Sequence, residues 1–120
     1  MADTKSIADD FTAMCKSGDL DAAGEKYWAS NVVSLEPMGG DMARAEGIDA
    51  LRAKGEWWYG AHDIHSVDVS GPCVNGDQFT VGFKMDITNK ESGVRMQMEE
   101  TALYTVADGK IVEERFFYNE

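Results

Sequence analysis

The sequence is poor in positive charge, in cysteine and in long apolar runs. Eleven Lys and Arg stand against 22 Asp and Glu, a formal net charge of −11 and a pI near 4.5. No basic stripe exists to neutralise phosphates, which argues against nucleic acid and against anionic membrane surfaces as partners. The charge suits a neutral or cationic ligand, or simply solubility. The two cysteines, Cys15 and Cys73, have neither CxxC nor zinc spacing. They are expected to be a reduced pair of buried thiols without a catalytic role. No window approaches the apolar length that spans a bilayer. The opening "MADTKSIADD" carries acids where a leader would carry bases, so a soluble, cytoplasmic protein is expected. Phosphate-binding glycine loops are missing too; "MGGDMA" has the glycines but no lysine, which argues against nucleotide chemistry.

At 120 residues, without a repeat, linker or low-complexity tract, the chain is expected to be one domain over residues 1–120. Ile7, Phe11, Met14 and Cys15 lie at helical spacing and predict a helix from Thr4 to Lys16, stopped by Gly18. Asp19 is expected to cap a second helix with Leu20, Ala23 and Tyr27 inside, Trp28 beside them and Ser30-Asn31 at its end. Gly24 falls on the same inner face. A strand is predicted at Val32 to Glu36, a loop at Pro37 to Ala45, and a third helix at Gly47 to Tyr59 with Ile48, Leu51, Gly55 and Trp58 on one side. Gly55 weakens that helix, and close packing against a neighbour would account for it. The period then falls to 2. Strands are predicted at Ile64 to Ser70, Gln78 to Thr88, Val94 to Val106 and Lys110 to Tyr118, with Gly71-Pro72, Asn75 to Asp77, Asn89 to Gly93 and Asp108-Gly109 as turns. Helices followed by an antiparallel meander make an α+β domain, with the helices covering one face of a curved sheet.

Strand alternation sorts side chains into faces. Val94, Met96, Met98, Glu100, Ala102, Tyr104 and Val106 form one row, apolar except for Glu100; a lone acid there needs a buried partner or has a raised pKa. Val81, Phe83, Met85 and Ile87 form another, and His65 shares a face with Val67 and Val69. In the last strand the row of Val112, Glu114, Phe116 and Tyr118 and the row of Ile111, Glu113, Arg115 and Phe117 are equally good candidates for the inside. Glu36, held extended by Pro37, is either a general base or a rim carboxylate. Glu100 is a pocket acid or a paired structural carboxylate, and His65 a proton shuttle or a satisfied core histidine. A metal at "HDIH" is rejected, because His62 and His65 on a strand point to opposite faces. Of the rings in "EWWY", one is expected in the core and another at a pocket mouth or an oligomer interface.

The segments "SGDLDAAGEKYW", "VVSLEPMGG", "EGIDALRAKGEWW" and "LYTVADGKIVEERFFY", in this order over nearly the whole chain, resemble the SnoaL-like and ketosteroid-isomerase-like branch of the nuclear transport factor fold, closest to SnoaL-like proteins of bacteria. The resemblance implies a single SnoaL-like domain in which a cone-shaped, curved antiparallel sheet, a cystatin-like roll, wraps three N-terminal helices around an apolar cavity. It also implies a homodimer through the outer sheet face. Ketosteroid isomerases hold an aspartate base before a proline at the end of the first strand, and Glu36-Pro37 matches that position. Their oxyanion hole pairs a tyrosine on the first helix with a protonated aspartic acid on a late strand; the matching positions here are Phe11 and Thr101. Glu100, Tyr27, Tyr104 and His65 are the groups that could replace them. The reading is a small-molecule-binding domain for a small apolar or neutral organic ligand, able to act by proton transfer of the isomerase, hydratase or cyclase type with no metal and no cofactor. Glu36, Glu100 and His65 are the catalytic candidates. Tyr27, Met38, Trp57, Trp58, Phe83, Met85, Met98, Tyr104 and Phe116 are the candidate ligand contacts. The alternative is a non-catalytic dimeric or accessory protein whose cavity is filled by its own side chains.

Overall fold

The computed structural model describes residues 3–37 and 43–118. Helix α1, Thr4–Lys16, has the bounds that the apolar spacing predicts, and the Asp3 side chain caps it by accepting from the Ser6 N–H at 2.7 Å. Helix α2, Leu20–Tyr27, starts after Asp19, whose side chain makes no capping bond; the Asp19 carbonyl accepts from Ala23 instead. The chain then enters strand β1, Trp28–Leu35, four residues earlier than predicted. Strand β2, Arg44–Glu46, begins inside the predicted loop, ends one residue past it and pairs with β1. Helix α3 is Ile48–Ala61, followed by β3, His62–Asn75, β4, Gln78–Asn89, β5, Arg95–Ala107, and β6, Lys110–Phe117.

The six strands form one sheet in the order β2-β1-β6-β5-β4-β3. Strands β3 to β6 are the predicted meander; β1 lies parallel to β6, and every other neighbour is antiparallel. At the β5–β6 turn Asp108 (φ 52°) and Gly109 (φ 77°) take the left-handed conformations of the predicted tight hairpin. Gly71-Pro72 does not end a strand: the chain bulges there, opposite β4, and β3 continues to Asn75.

Two further bulges decide which way side chains face. Ile64 pairs with Ile87 and Ser66 with Asp86, so His65 is an extra residue in β3. Ile64, Val67 and Val69 then pack on the core, while His65 is exposed and its ring Nε2 lies 2.7 Å from the Thr88 hydroxyl. His65 thus does not share the inner face with Val67 and Val69, because a bulge resets alternation. In β6, Thr105 pairs with Glu113 and Val106 with Ile111, leaving Val112 as the extra residue. Both open rows of the last strand contribute to the inside: Ile111 on one side of the bulge, Glu114 and Phe116 on the other. The core joins Ile7, Ala8, Phe11 and Cys15 of α1 to Phe79, Val81, Phe83, Met85 and Ile87 of β4 and to Ala102, Tyr104 and Val106 of β5. Cys15 is buried, which pushes its thiol up to about 12 and keeps it inert. Cys73 is exposed, contrary to expectation, because it follows the β3 bulge beyond the helical cover.

Gly24 has a packing role. A Cβ there would lie 2.5 to 2.8 Å from the Trp28 indole, so the missing side chain admits that ring beneath α2. Helix propensity alone would make Gly24→Ala stabilising by about 1 kcal/mol. The clash predicts the opposite sign, a loss of roughly 1–3 kcal/mol in urea unfolding, as for other overpacked sites.

Candidate active site

Between the three helices and the concave face of the sheet lies a cavity of about 440 Å³. Phe83 and Met85 of β4, Met98 and Tyr104 of β5, Phe116 of β6 and Trp58 of α3 line it, all of them expected ligand contacts. Trp57, also expected, is 58% exposed and reaches the cavity at its edge, so the two indoles divide as the helical period requires. Trp58 packs on the core and stacks on His62, ring centroids 4.7 Å apart. A core filled by its own Met, Trp and Phe side chains is not what the chain builds.

Besides Asp21, His62 and three tyrosines, Ser34, Glu36, Lys54, Glu100 and Glu114 bring polar side chains to this apolar space. Ser34 is buried on β1, and Glu36, two residues on, follows it on the same side. The Glu36 N–H donates to the Ala43 carbonyl at 2.8 Å, which ties the strand end to the approach of β2. Lys54 reaches in from α3. Its Nζ lies 2.6 Å from Glu36 Oε1, donates to Ser34 Oγ at 2.8 Å, and sits 5.0 Å from the centre of the Phe116 ring. The pair is largely shielded from water, with 12% of the Glu36 side chain and 16% of the Lys54 side chain exposed.

Glu114 is opposite Tyr104 on β5 and beside Ser34 on β1, and only 7% of it is exposed. Burial pushes its carboxyl up to about 7; Lys54 opposes the shift, as do hydrogen bonds from the Trp28 indole and the Ser34 hydroxyl, while Glu36 adds to it. Glu100 is opposite Phe83. Desolvation raises it to about 7 as well, reinforced by Glu36 and Glu114 and resisted by Lys54. Tyr104, fully enclosed and packed on Phe11 at 4.7 Å and Phe79 at 4.9 Å, has its phenol held well above the ordinary range by burial, so it stays a donor. The site therefore presents one ammonium-held carboxylate and, with Glu100, Glu114 and Tyr104 among them, groups able to give a proton in a hydrogen bond.

Not every expected residue reaches this space. Tyr27 does not line the cavity; its hydroxyl donates to Asp10 on the outer side of α1, because the end of α2 turns that ring toward Asp10 and Lys26. His65 is outside for the bulge reason given above, and the histidine that lines the cavity is His62, whose Nδ1 is 2.9 Å from the Trp58 carbonyl. Met38 lies outside the described residues. Thr101, the position matched to the oxyanion acid, is exposed on the outer face, and Phe11 is an apolar wall of the cavity. Lys54 and Ser34 are additions. Lys54 falls three residues after Leu51 and four before Trp58, on the inner stripe of α3, and that spacing was the signal for it.

A helix-lined curved sheet that encloses an acid-bearing apolar cavity is the architecture of a small-molecule-binding α+β domain. The family model described as SnoaL-like domain matches residues 2–118, and the chain belongs to that family. Among solved structures, a protein from Mesorhizobium loti named as a proposed SnoaL-like polyketide cyclase, with carbohydrate phosphatase in brackets, is 50% identical, with a TM-score of 0.94 over 98% of this chain and 100% of its own. A proposed isomerase from Bacillus subtilis (21% identity, TM-score 0.74, 98% of this chain and 90% of its own) shares the fold. So does an NTF2-like protein from Burkholderia pseudomallei (15%, 0.74, 99% and 92%). Comparison with curated proteins gives no match.

The raised carboxyls fix a pH dependence. A carboxyl whose folded pKa is raised from 4.5 to about 7 contributes its stability in full below about pH 4.5 and loses it as pH rises through about 7. Glu100→Gln removes one such group. Its Tm is expected to match the wild type near pH 4 and to exceed it at pH 8, by on the order of 5 °C. A Tm difference independent of pH would show that Glu100 is an ordinary solvated acid.

Proposed function

We propose that this cavity binds a neutral, largely apolar ligand bearing a carbonyl group and moves a proton on the carbon beside it, with Glu36 as the base. The observation that carries the reading is the Glu36 carboxylate, held at 2.6 Å by Lys54 inside an apolar cavity that also holds two carboxyls raised to about 7. Lys54 occupies Oε1 and leaves Oε2 to take the proton. The C–H bond breaks, its electron pair moves to the carbonyl oxygen, and an enolate forms. Glu100, largely protonated up to neutrality, and the Tyr104 phenol donate hydrogen bonds to that oxygen, in the role for which a neutral carboxylic acid is suited. Return of the proton from Glu36 to a different carbon completes an isomerisation; attack of the enolate carbon on a second carbonyl of the same ligand would complete a ring closure. The acid–base work comes from this chain's own side chains.

The carbohydrate phosphatase activity named for the Mesorhizobium loti relative fits less well, since four carboxyls against one ammonium repel a phosphate monoester. As a finer reading, the protein acts as a cytoplasmic homodimer through the outer sheet face. Phe117 supports the dimer, since it is 49% exposed there and pairs with the outward Thr101. The free thiols of Cys15 and Cys73 are consistent with a reducing compartment.

The test is hydrogen exchange at carbon. With 1-tetralone in heavy water, the wild-type protein is expected to speed α-proton loss above the buffer rate, as read by proton NMR. Glu36→Gln should lower the accelerated rate by about 100-fold or more while leaving affinity for the ketone within a few-fold. Equal rates in the two proteins would overturn the assignment of the base.

A further inference from the structure

Helix α3 carries two glycines, Gly55 in its interior and Gly60 in its last turn, and the structure separates their roles. Neither has a positive φ, and among the described residues a Cβ added to either would meet nothing within 4 Å. The close packing that the sequence suggested for Gly55 is therefore not there. What differs is position: Gly55 lines the cavity, whereas Gly60 is exposed and does not. Residues three and four apart share a helix face. Gly55 accordingly sits between Leu51, four residues before it, and Trp58 and Tyr59, three and four after, and all of these line the cavity. The result is a notch: bare backbone for a floor, a leucine on one side, an indole and a phenol on the other.

A glycine inside a helix costs stability, and neither a turn nor a neighbouring side chain requires this one. We propose that Gly55 sets the size of ligand the cavity accepts, the notch receiving an apolar ring or branched alkyl group of the ligand against the bare turn of α3. The backbone groups of a helix interior are already hydrogen-bonded to one another, so the floor offers nothing to a polar or charged group. Lys54, the next residue back along the chain, carries the ammonium that holds Glu36. A group seated in the notch thus lies beside the residue whose side chain holds the proposed base, in the same cavity as that base, and the notch selects which ligands can present their carbonyl there. This assignment rests on the proposed ligand-binding reading of the cavity and adds a determinant of size to it.

The two glycines supply their own control. Gly55→Ala and Gly60→Ala should both raise Tm, by about 2–6 °C, since each replaces a helix glycine without a clash. Binding is then followed by fluorescence and by competition for three neutral probes of increasing size: phenol, 2-naphthol and N-phenyl-1-naphthylamine. Gly55→Leu is expected to weaken N-phenyl-1-naphthylamine by about tenfold or more, with phenol changed less than about threefold, while Gly60→Leu leaves all three unchanged. A Gly55→Leu protein that remains folded and binds the largest probe as the wild type does would overturn the assignment of Gly55 alone. If the wild-type protein took up none of the three probes, the ligand-binding reading of the cavity would fall, and the notch with it.

Discussion

Among the described residues that line the cavity, Lys54 is the only lysine or arginine, and burial with so little positive charge accounts for the raised acids around it. Besides Asp21, three carboxyls, Glu36, Glu100 and Glu114, share that cation in a space walled by Phe, Met, Trp and Tyr. Removing a carboxylate from water is expensive unless a cation or several hydrogen-bond donors replace the lost solvation. Lys54 does this directly for Glu36, at 2.6 Å, and only from further off for the other two. Glu100 and Glu114 therefore hold protons up to about neutrality beside the ion-paired Glu36.

The fold puts these groups together by pairing strands that are distant in sequence. The parallel contact of β1 with β6 places Ser34 beside Glu114, and the antiparallel contact of β6 with β5 places Glu114 across from Tyr104. One strand further, Glu100 faces Phe83. Lys54 comes from the opposite wall, and its helix is held at the surface by Arg52, which grips Glu25 of α2 with two bonds of 2.5 and 2.7 Å and also reaches Asp49. Exposed pairs of this kind contribute little each, but a bidentate arginine fixes orientation. Gly24 adds a second link between α2 and the site, since it gives room to the indole whose N–H serves Glu114.

Much of this was legible in the sequence, for identifiable reasons. The 3.6-residue spacing of Ile7, Phe11, Met14 and Cys15 marked α1 to the residue, and Asp108-Gly109 marked a turn that only positive φ angles make. Glu100 stood out as the single acid in an apolar row. His65 was misplaced because alternation assumes an unbroken strand, and a bulge leaves no mark in composition. The same blindness left β6 undecided: with Val112 as an extra residue, Ile111 and Glu114 both face inward, which no strict period of two allows. Lys54 was passed over because a lysine in an amphipathic helix is ordinarily solvated, although its spacing from Leu51 and Trp58 put it on the inner stripe. Trp28 was assigned to the helix because it continues the pattern of Leu20, Ala23 and Tyr27 up to the expected stop at Ser30-Asn31, whereas the chain turns into β1 there.

The positions matched to ketosteroid isomerases differ in chemistry around Glu36. Phe11 has no hydroxyl and lies against Tyr104, and Thr101 faces away from the cavity, so neither supplies a donor. The donors that are present come from elsewhere: Glu100, the neighbour of Thr101 in the chain but on the other face of β5; Tyr104, four residues further along the same inward row; and Glu114 on the adjacent strand. Because adjacent residues on a strand face opposite ways, an acid at Thr101 would stand in solvent in this register and keep its proton only at low pH, whereas at position 100 the apolar row itself raises the acid. Burial and strand pairing, rather than the matched positions, put the proton-holding carboxyls on the cavity side of the sheet.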